Sequence, residues 1–347
     1  KTTDMIVSGD ELPAVAGYAA PLGNNADMST TGIELALGWN DGFQLAGKRF
    51  NYNTRISFWD SKSKIIKYTS KTNRLPTIYS NAYYEGMEMG EIWGYKVDGL
   101  FATDEEAQDW GVRAQSKTFW SGDNTSWNAG DLRFADLNND GVIDNGKGTL
   151  DDHGDLIKIG NSDPRYHFGI NLGANWNGIG LSLFFQGIMK RDWYPAGESG
   201  LFWGQYNRTY GYSLPWQNAH RWTEENQNIN AYWPRLRGSL AATGRGTLRA
   251  PNDRYLQNAR YTRLKNITVD YTLPKDISKK IYLENVKLYV SGENLFFWSP
   301  LKKYAKNYDP EQITPGDSDY RATRGTDGDG YGYPQTKSIT FGVNVSF

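Results

Sequence analysis

The sequence reads as all-β, part of a transmembrane antiparallel β-barrel with long extracellular loops, on three observations. Apolar and polar residues alternate with a period of two over segments of about ten residues, the length that crosses a bilayer at a tilt. Aromatic residues make up 14% of the 347-residue chain, with 13 Trp and 23 Tyr, although only 38% of residues are hydrophobic and mean hydropathy is negative. A core of Leu, Ile and Val large enough to bury so many rings is missing, whereas a membrane–water interface accommodates a ring against lipid and its polar edge in water. Connections between the alternating segments are either very short or very long, as in barrels with short periplasmic turns and long outer loops.

Each element follows from this pattern. Over Gly32–Asn40, Ile33, Leu35, Leu37 and Trp39 share one parity against Glu34, Ala36, Gly38 and Asn40, a strand period. After the Asp41-Gly42 turn signal, Phe50, Tyr52, Thr54, Ile56 and Phe58 oppose Asn51, Asn53, Arg55 and Ser57, which predicts a hairpin. At Arg165–Trp176 the apolar parity holds Tyr166, Phe168, Ile170, Leu172, Ala174 and Trp176, and Asn177-Gly178 then supplies a tight turn into Leu181–Met189. Ile267, Val269, Tyr271 and Leu273 mark another strand, and Val286, Leu288 and Val290 the next. At the end, Ile339, Phe341, Val343, Val345 and Phe347 alternate with Ser338, Thr340, Gly342, Asn344 and Ser346. The polar parity is rich in Asn, Ser, Thr and Gly, which suits a hydrated lumen. Three long stretches, 79–163, 190–254 and 299–333, are expected on the extracellular side with local structure of their own.

Composition excludes several classes. No run of about 18 apolar residues exists, so no transmembrane helix is expected. A net charge of −1 argues against a nucleic-acid surface. Without cysteine there is neither a disulfide nor a thiolate metal site. The chain starts at Lys1 with no initiator Met and no apolar leader, which suggests a processed or truncated product. His153, His167 and His220 sit at no metal-ligand spacing, and neither a Gly-x-Ser-x-Gly elbow nor a phosphate-cradling loop occurs. No enzyme is read here. The competing reading is a soluble, aromatic-rich carbohydrate-binding or hydrolase β-domain, whose strands would also alternate.

Several motifs carry a family resemblance. Gly94-Tyr95-Lys96-Val97-Asp98-Gly99-Leu100-Phe101, followed by Asp104-Glu105-Glu106-Ala107, resembles a segment of the SusC/RagA family of TonB-dependent outer-membrane transporters. So do Gly130–Phe134 ahead of Asp136–Gly141, then Tyr261–Asn266, Ser291–Phe296 and Tyr308–Glu311, and the close from Tyr333-Pro334 to Phe347, all in the family's order. Thr31-Gly32-Ile33-Glu34-Leu35 is similar to a further family strand. The resemblance implies a complete barrel of about 22 strands with a plug inside, of which this chain would be the C-terminal part, lacking the plug and the TonB-contacting segment. It implies import of a glycan or an oligopeptide with a SusD-like surface lipoprotein as lid, the missing N-terminal barrel strands as partner, and the lipid bilayer as solvent. A passive porin is the other membrane reading, and the length and motifs of the loops speak against it.

Two candidate sites remain. Asp136-x-Asn138-x-Asp140-Gly141-Val142 matches the start of an EF-hand-type loop: oxygen ligands at alternate positions, Gly at the sharp turn, and the Val142 carbonyl. The twelfth position falls on Lys147 instead of an acid, and the resemblance aligns Asp155 as the closing carboxylate, with Asp151 and Asp152 as competitors. Flexible oxygen ligation favours structural Ca2+ over Mg2+; the bland alternative is an Asp/Asn-Gly turn with solvated carboxylates. The aromatic loop supplies Trp193, Trp203, Tyr206 and Trp216 as candidate substrate-stacking rings. Packing of the loop against itself or a partner is the alternative for these rings.

Overall fold

Unbroken alternation sets the architecture. In a computed structural model describing residues 1–8, 15, 17, 22–69, 73–78, 82–119, 127–196, 199–207, 210–237, 246–313 and 334–347, the long strands assemble in one antiparallel sheet. In chain order these are β1 (Thr2–Ser8), β2 (Leu22–Leu45) and β3 (Lys48–Tyr68). After the short strands β4 (Glu91–Tyr95), β5 (Val97–Leu100), β6 (Leu132–Phe134) and β7 (Leu156–Asn161) come β8 (Arg165–Trp176) and β9 (Ile179–Lys190). Then follow β10 (Asp192–Trp193), β11 (Gln257–Asn258), β12 (Tyr261–Thr272), β13 (Asn285–Trp298) and β14 (Ser338–Ser346). The large sheet has eight strands in the order β1-β2-β3-β8-β9-β12-β13-β14, every strand beside its sequence neighbour in the sheet. Its two edges, β1 and β14, do not meet.

The expected hairpins form with one correction. Asn177 and Gly178 both take positive φ and join β8 to β9 in register, Trp176 opposite Ile179, as a tight two-residue turn requires. Asp41-Gly42, by contrast, is not a turn. Asp41 pairs with Tyr52, Gly42 with Asn51 and Phe43 with Phe50, and the chain reverses at Ala46-Gly47. The physical reason is that the period-two pattern continues through Phe43 and Leu45, so ending the strand at Asp41 would have forfeited those pairs.

Antiparallel pairing sorts the connections by end. The short ones, Ala46-Gly47, Asn177-Gly178 and 273–284, lie at one end of the sheet; 69–164, 191–260 and 299–337 lie at the other. The long connections fold on one another. The main buried cluster is built from them: Tyr95, Phe101, Phe119, Trp127 and Phe134 from the first, Trp203, Tyr206, Trp233 and Tyr255 from the second, Leu301, Tyr308 and Ile313 from the third. The hydrophobic core therefore sits in a cap at the end of the sheet and not between its faces. Residues 79–81, 120–126, 197–198, 208–209, 238–245 and 314–333 of the three expected loops lie outside the described residues.

Candidate functional site: the two faces of the wall and the loop cap

The sheet presents large apolar side chains outward. Ile33, Leu35, Leu37, Trp39 and Phe43 on β2 are all more than half exposed. Registers carry the same face across Ile56, Ile170, Leu181, Val269, Val290 and Phe341 to the far edge. An apolar area of this extent in water would be an aggregation surface; against lipid it is a solvation shell. From Ile33 to Phe43 the strand runs roughly 35 Å, which at a tilt of about 45° covers an apolar band about 25 Å tall. The band stops at Asp60, opposite Ile33, whose carboxylate takes the forked guanidinium of Arg165.

The reverse face is polar. Arg55 lies beside Gly38 and Asn171, Asn53 beside Asn40 and Gly173, and Asp270 carries an ion pair to Lys287 at 3.0 Å. His167 stacks flat on Trp59, ring centres 3.6 Å apart. It belongs to this polar parity, as the alternation of β8 requires.

Buried charges tie the cap to the wall and its parts to one another. Arg263 on β12 is 1% exposed; its Nη2 donates to Asp309 at 2.5 Å and its Nε lies 2.8 Å from Glu311, off the hydrogen-bond line. Lys265 also reaches Glu311, at 2.7 Å, and Arg191 donates to the carbonyls of Pro310 and Ile313. The Tyr261–Asn266 and Tyr308–Glu311 motifs thus meet. Asp131 joins the first two loops, accepting from Arg235 Nε at 2.7 Å and Arg237 Nη1 at 3.0 Å, while burial pushes its carboxyl up against the pull of both guanidinium groups. Glu91 accepts from Lys158 Nζ at 2.6 Å, Trp93 Nε1 at 3.1 Å, the Glu88 amide and the Tyr84 hydroxyl. Burial raises the Glu91 carboxyl, but these donors outweigh it and hold it below its ordinary value.

Two motif glycines are close-approach positions. A Cβ on Gly94 would lie 2.5 Å from the Pro251 carbonyl, which accepts from Tyr95 N, and one on Gly130 would lie 2.3 Å from the Trp222 ring. The Asp104–Glu106 turn starts on Thr103, whose side chain accepts from Glu106 N, and places three acids at a helix start, where the helix dipole favours them.

The candidate rings are mostly enclosed. Trp203 is fully buried, its Nε1 donating to the Pro195 and Ala196 carbonyls; Tyr206 donates to Pro234 O; Trp193 packs 4.8 Å from Tyr308. These three rings are enclosed by protein, as part of the core that the loop's aromatic residues build. Trp216 is half-buried, with Lys306 Nζ 5.2 Å from its centre.

Asp136, Asn138, Asp140, Val142 and Asp155 do come together as a loop. Asp136 accepts from Asn139 N and Gly141 N, Asp140 from Val142 N, and Asn138 from Asp140 N. Buried Asp155 accepts from Leu137 N at 2.7 Å and Asp144 N at 2.9 Å, so it closes the loop from both ends. Asp152 instead pairs with Lys147. Among the described residues no three His, Cys, Asp or Glu side chains converge on one point.

Comparisons with known proteins agree with this geometry. No family model matches the chain. TonB-dependent receptor P3 of Formosa agariphila is 24% identical over 355 residues, which cover 100% of this chain and 31% of the receptor. TonB-dependent receptor P26 of the same organism is 24% identical, with 100% and 32% covered. Among solved structures, the RagAB peptide transporter aligns with a TM-score of 0.61 at 19% identity over 99% of this chain and 32% of that one. The RagAB peptide importer in its closed-closed state gives 0.61 at 18%, with the same coverage. The chain spans about a third of the length of the curated relatives it matches, and those relatives are receptors, not enzymes. Along its whole length the chain is similar to TonB-dependent receptors, and its open antiparallel sheet shares the fold of part of the RagAB transporter's β-barrel.

Proposed function

We propose that this chain forms barrel wall and extracellular cap of a SusC-like importer in the bacterial outer membrane, taking up large nutrients with energy delivered through TonB. The observation that carries this reading is the exposed apolar face running in register across the seven strands from β2 to β14, with a polar face behind it. Such a sheet cannot end in lipid at β1 and β14, where backbone groups would be left unpaired. Further strands and a plug complete it. The capped end faces outward, since barrels of this kind place their long loops outside. A SusD-like lipoprotein lids the cap. The substrate is an oligopeptide, a choice supported by the solved relatives that are peptide transporters by description; a glycan is the alternative outcome. Structural Ca2+ in the Asp136–Asp155 loop belongs to the same reading. Asp136, Asp140 and Asp155 have no cationic side chain in ion-pair contact among the described residues, and binding would draw these carboxylates, which do not converge on one point here, together with the Asn138 and Val142 oxygens.

Extraction of the native protein from outer membranes in detergent, with every co-purifying chain identified by mass spectrometry, tests the proposal. Recovery with plug-bearing sequence and a surface lipoprotein is expected, and peptide or glycan in the eluate decides the substrate class. A lone chain recovered without detergent would overturn it.

A further inference from the structure

At the capped end of the wall, where β9, β12 and β13 leave the apolar band, an open groove of about 690 Å³ is lined by Phe168, Met189, Thr262, Trp298, Arg260 and Lys302. Its register places it on the apolar face. Thr262 lies between Gly187 and Trp298, and Phe168 lies opposite Gly187. Met189 and Trp298 are both more than half exposed.

The cations at this groove differ from those on the reverse face of the same strands. Arg263 and Lys265 point to the cap and are matched by Asp309 and Glu311. Among the described residues, Arg260 and Lys302 have no ion-pair partner and no carboxylate lines the groove. Lys302 spends one N–H on the Phe297 carbonyl, at 2.9 Å, and lies over the Phe297 ring; Lys337 adds charge 5.8 Å from the exposed Phe296 ring. Apolar lining below, positive charge with no ion-pair partner among the described residues above, and a position at the edge of a lipid-facing band define the complementary molecule. It has an acyl chain and an anionic head.

We infer that this groove seats a phosphate-bearing lipid of the surrounding leaflet, its chain along Phe168, Met189 and Trp298 and its phosphate between Arg260 and Lys302. The inference rests on the barrel reading above. Cationic side chains at a membrane surface are each worth about a fivefold factor in binding an anionic lipid, so two together give roughly 25-fold.

The test uses the complete native protein in detergent, titrated with phosphatidylglycerol and followed by native mass spectrometry. Retention is expected in the wild type and roughly 25-fold weaker binding in the Arg260→Gln/Lys302→Gln double variant. Lys275→Gln/Lys279→Gln, at the short-turn end, should bind as wild type, and uncharged diacylglycerol should not be retained. Equal retention by wild type and the Arg260/Lys302 variant would overturn the inference, and so would displacement by inorganic phosphate, which would mark a free-anion site. Failure of the barrel reading shows separately, as protein that needs no detergent to stay in solution.

Discussion

Arg263 is the residue whose loss should be felt most. Its guanidinium is buried between Asp309 and Glu311, and removing one partner of a buried ion pair leaves uncompensated charge, typically at a cost of about 3–5 kcal/mol. Arg263→Leu should therefore release the 299–313 segment to protease and lower the unfolding midpoint; a change under about 1 kcal/mol would show that Lys265 and water suffice. Glu91 makes a pH prediction. Its folded-state carboxyl is held low because donors outweigh the effect of burial, so its contribution is fully present above the unfolded value near 4.3 and is lost as pH falls through the folded value. Protease resistance of the segment around Tyr84–Trp93 should fall as pH drops below about 4, and Glu91→Gln should flatten that dependence. Neither role was legible in sequence. The motifs containing Arg263, Asp309 and Glu311 were visible, yet nothing in one dimension pairs a strand with a loop some 46 positions away.

At the scale of elements, alternation was the most legible signal, because a half-buried strand fixes which parity faces lipid and a one-residue slip would invert it. It located β2, β3, β8, β12, β13 and β14, and it also explains the misplaced turn: Asp41-Gly42 is strong turn chemistry overridden by continued pairing of Phe43 with Phe50. Leu35→Arg should cost about 2–4 kcal/mol when unfolding is measured in lipid vesicles, the depth-dependent price of charge on the lipid face, whereas Glu34→Arg should cost little. Similar costs for both would remove the distinction between the faces. In the loop closed by Asp155, chelation followed by elemental analysis should lower a bound calcium content of about one per chain and quicken proteolysis within 136–155, the expectation for an oxygen-rich structural site. Unchanged proteolysis would leave the loop held by its Asx turns and by Asp155 alone.

For the molecule as a whole, the aromatic excess that pointed to membrane girdles has two destinations. Some rings do lie on the apolar face, such as Trp39, Phe43, Phe296 and Trp298. A larger share packs the cap, where Trp203, Tyr206, Trp233 and Tyr255 surround one another. Composition flags the aromatic residues of these loops but does not say whether a ring faces ligand or core. The cap depends on charge pairs, with the wall through Arg263 and between loops through Asp131, for its position over the wall. The proposed barrel puts lipid on one face of this sheet and water on the other. Because the chain has no cysteine, single Cys substitutions at successive positions 33–40 in the full-length protein, labelled in intact membranes by a water-soluble maleimide, test it most directly. Labelling should alternate, high at 34, 36, 38 and 40 and low at 33, 35, 37 and 39; uniform labelling along the strand would contradict the account.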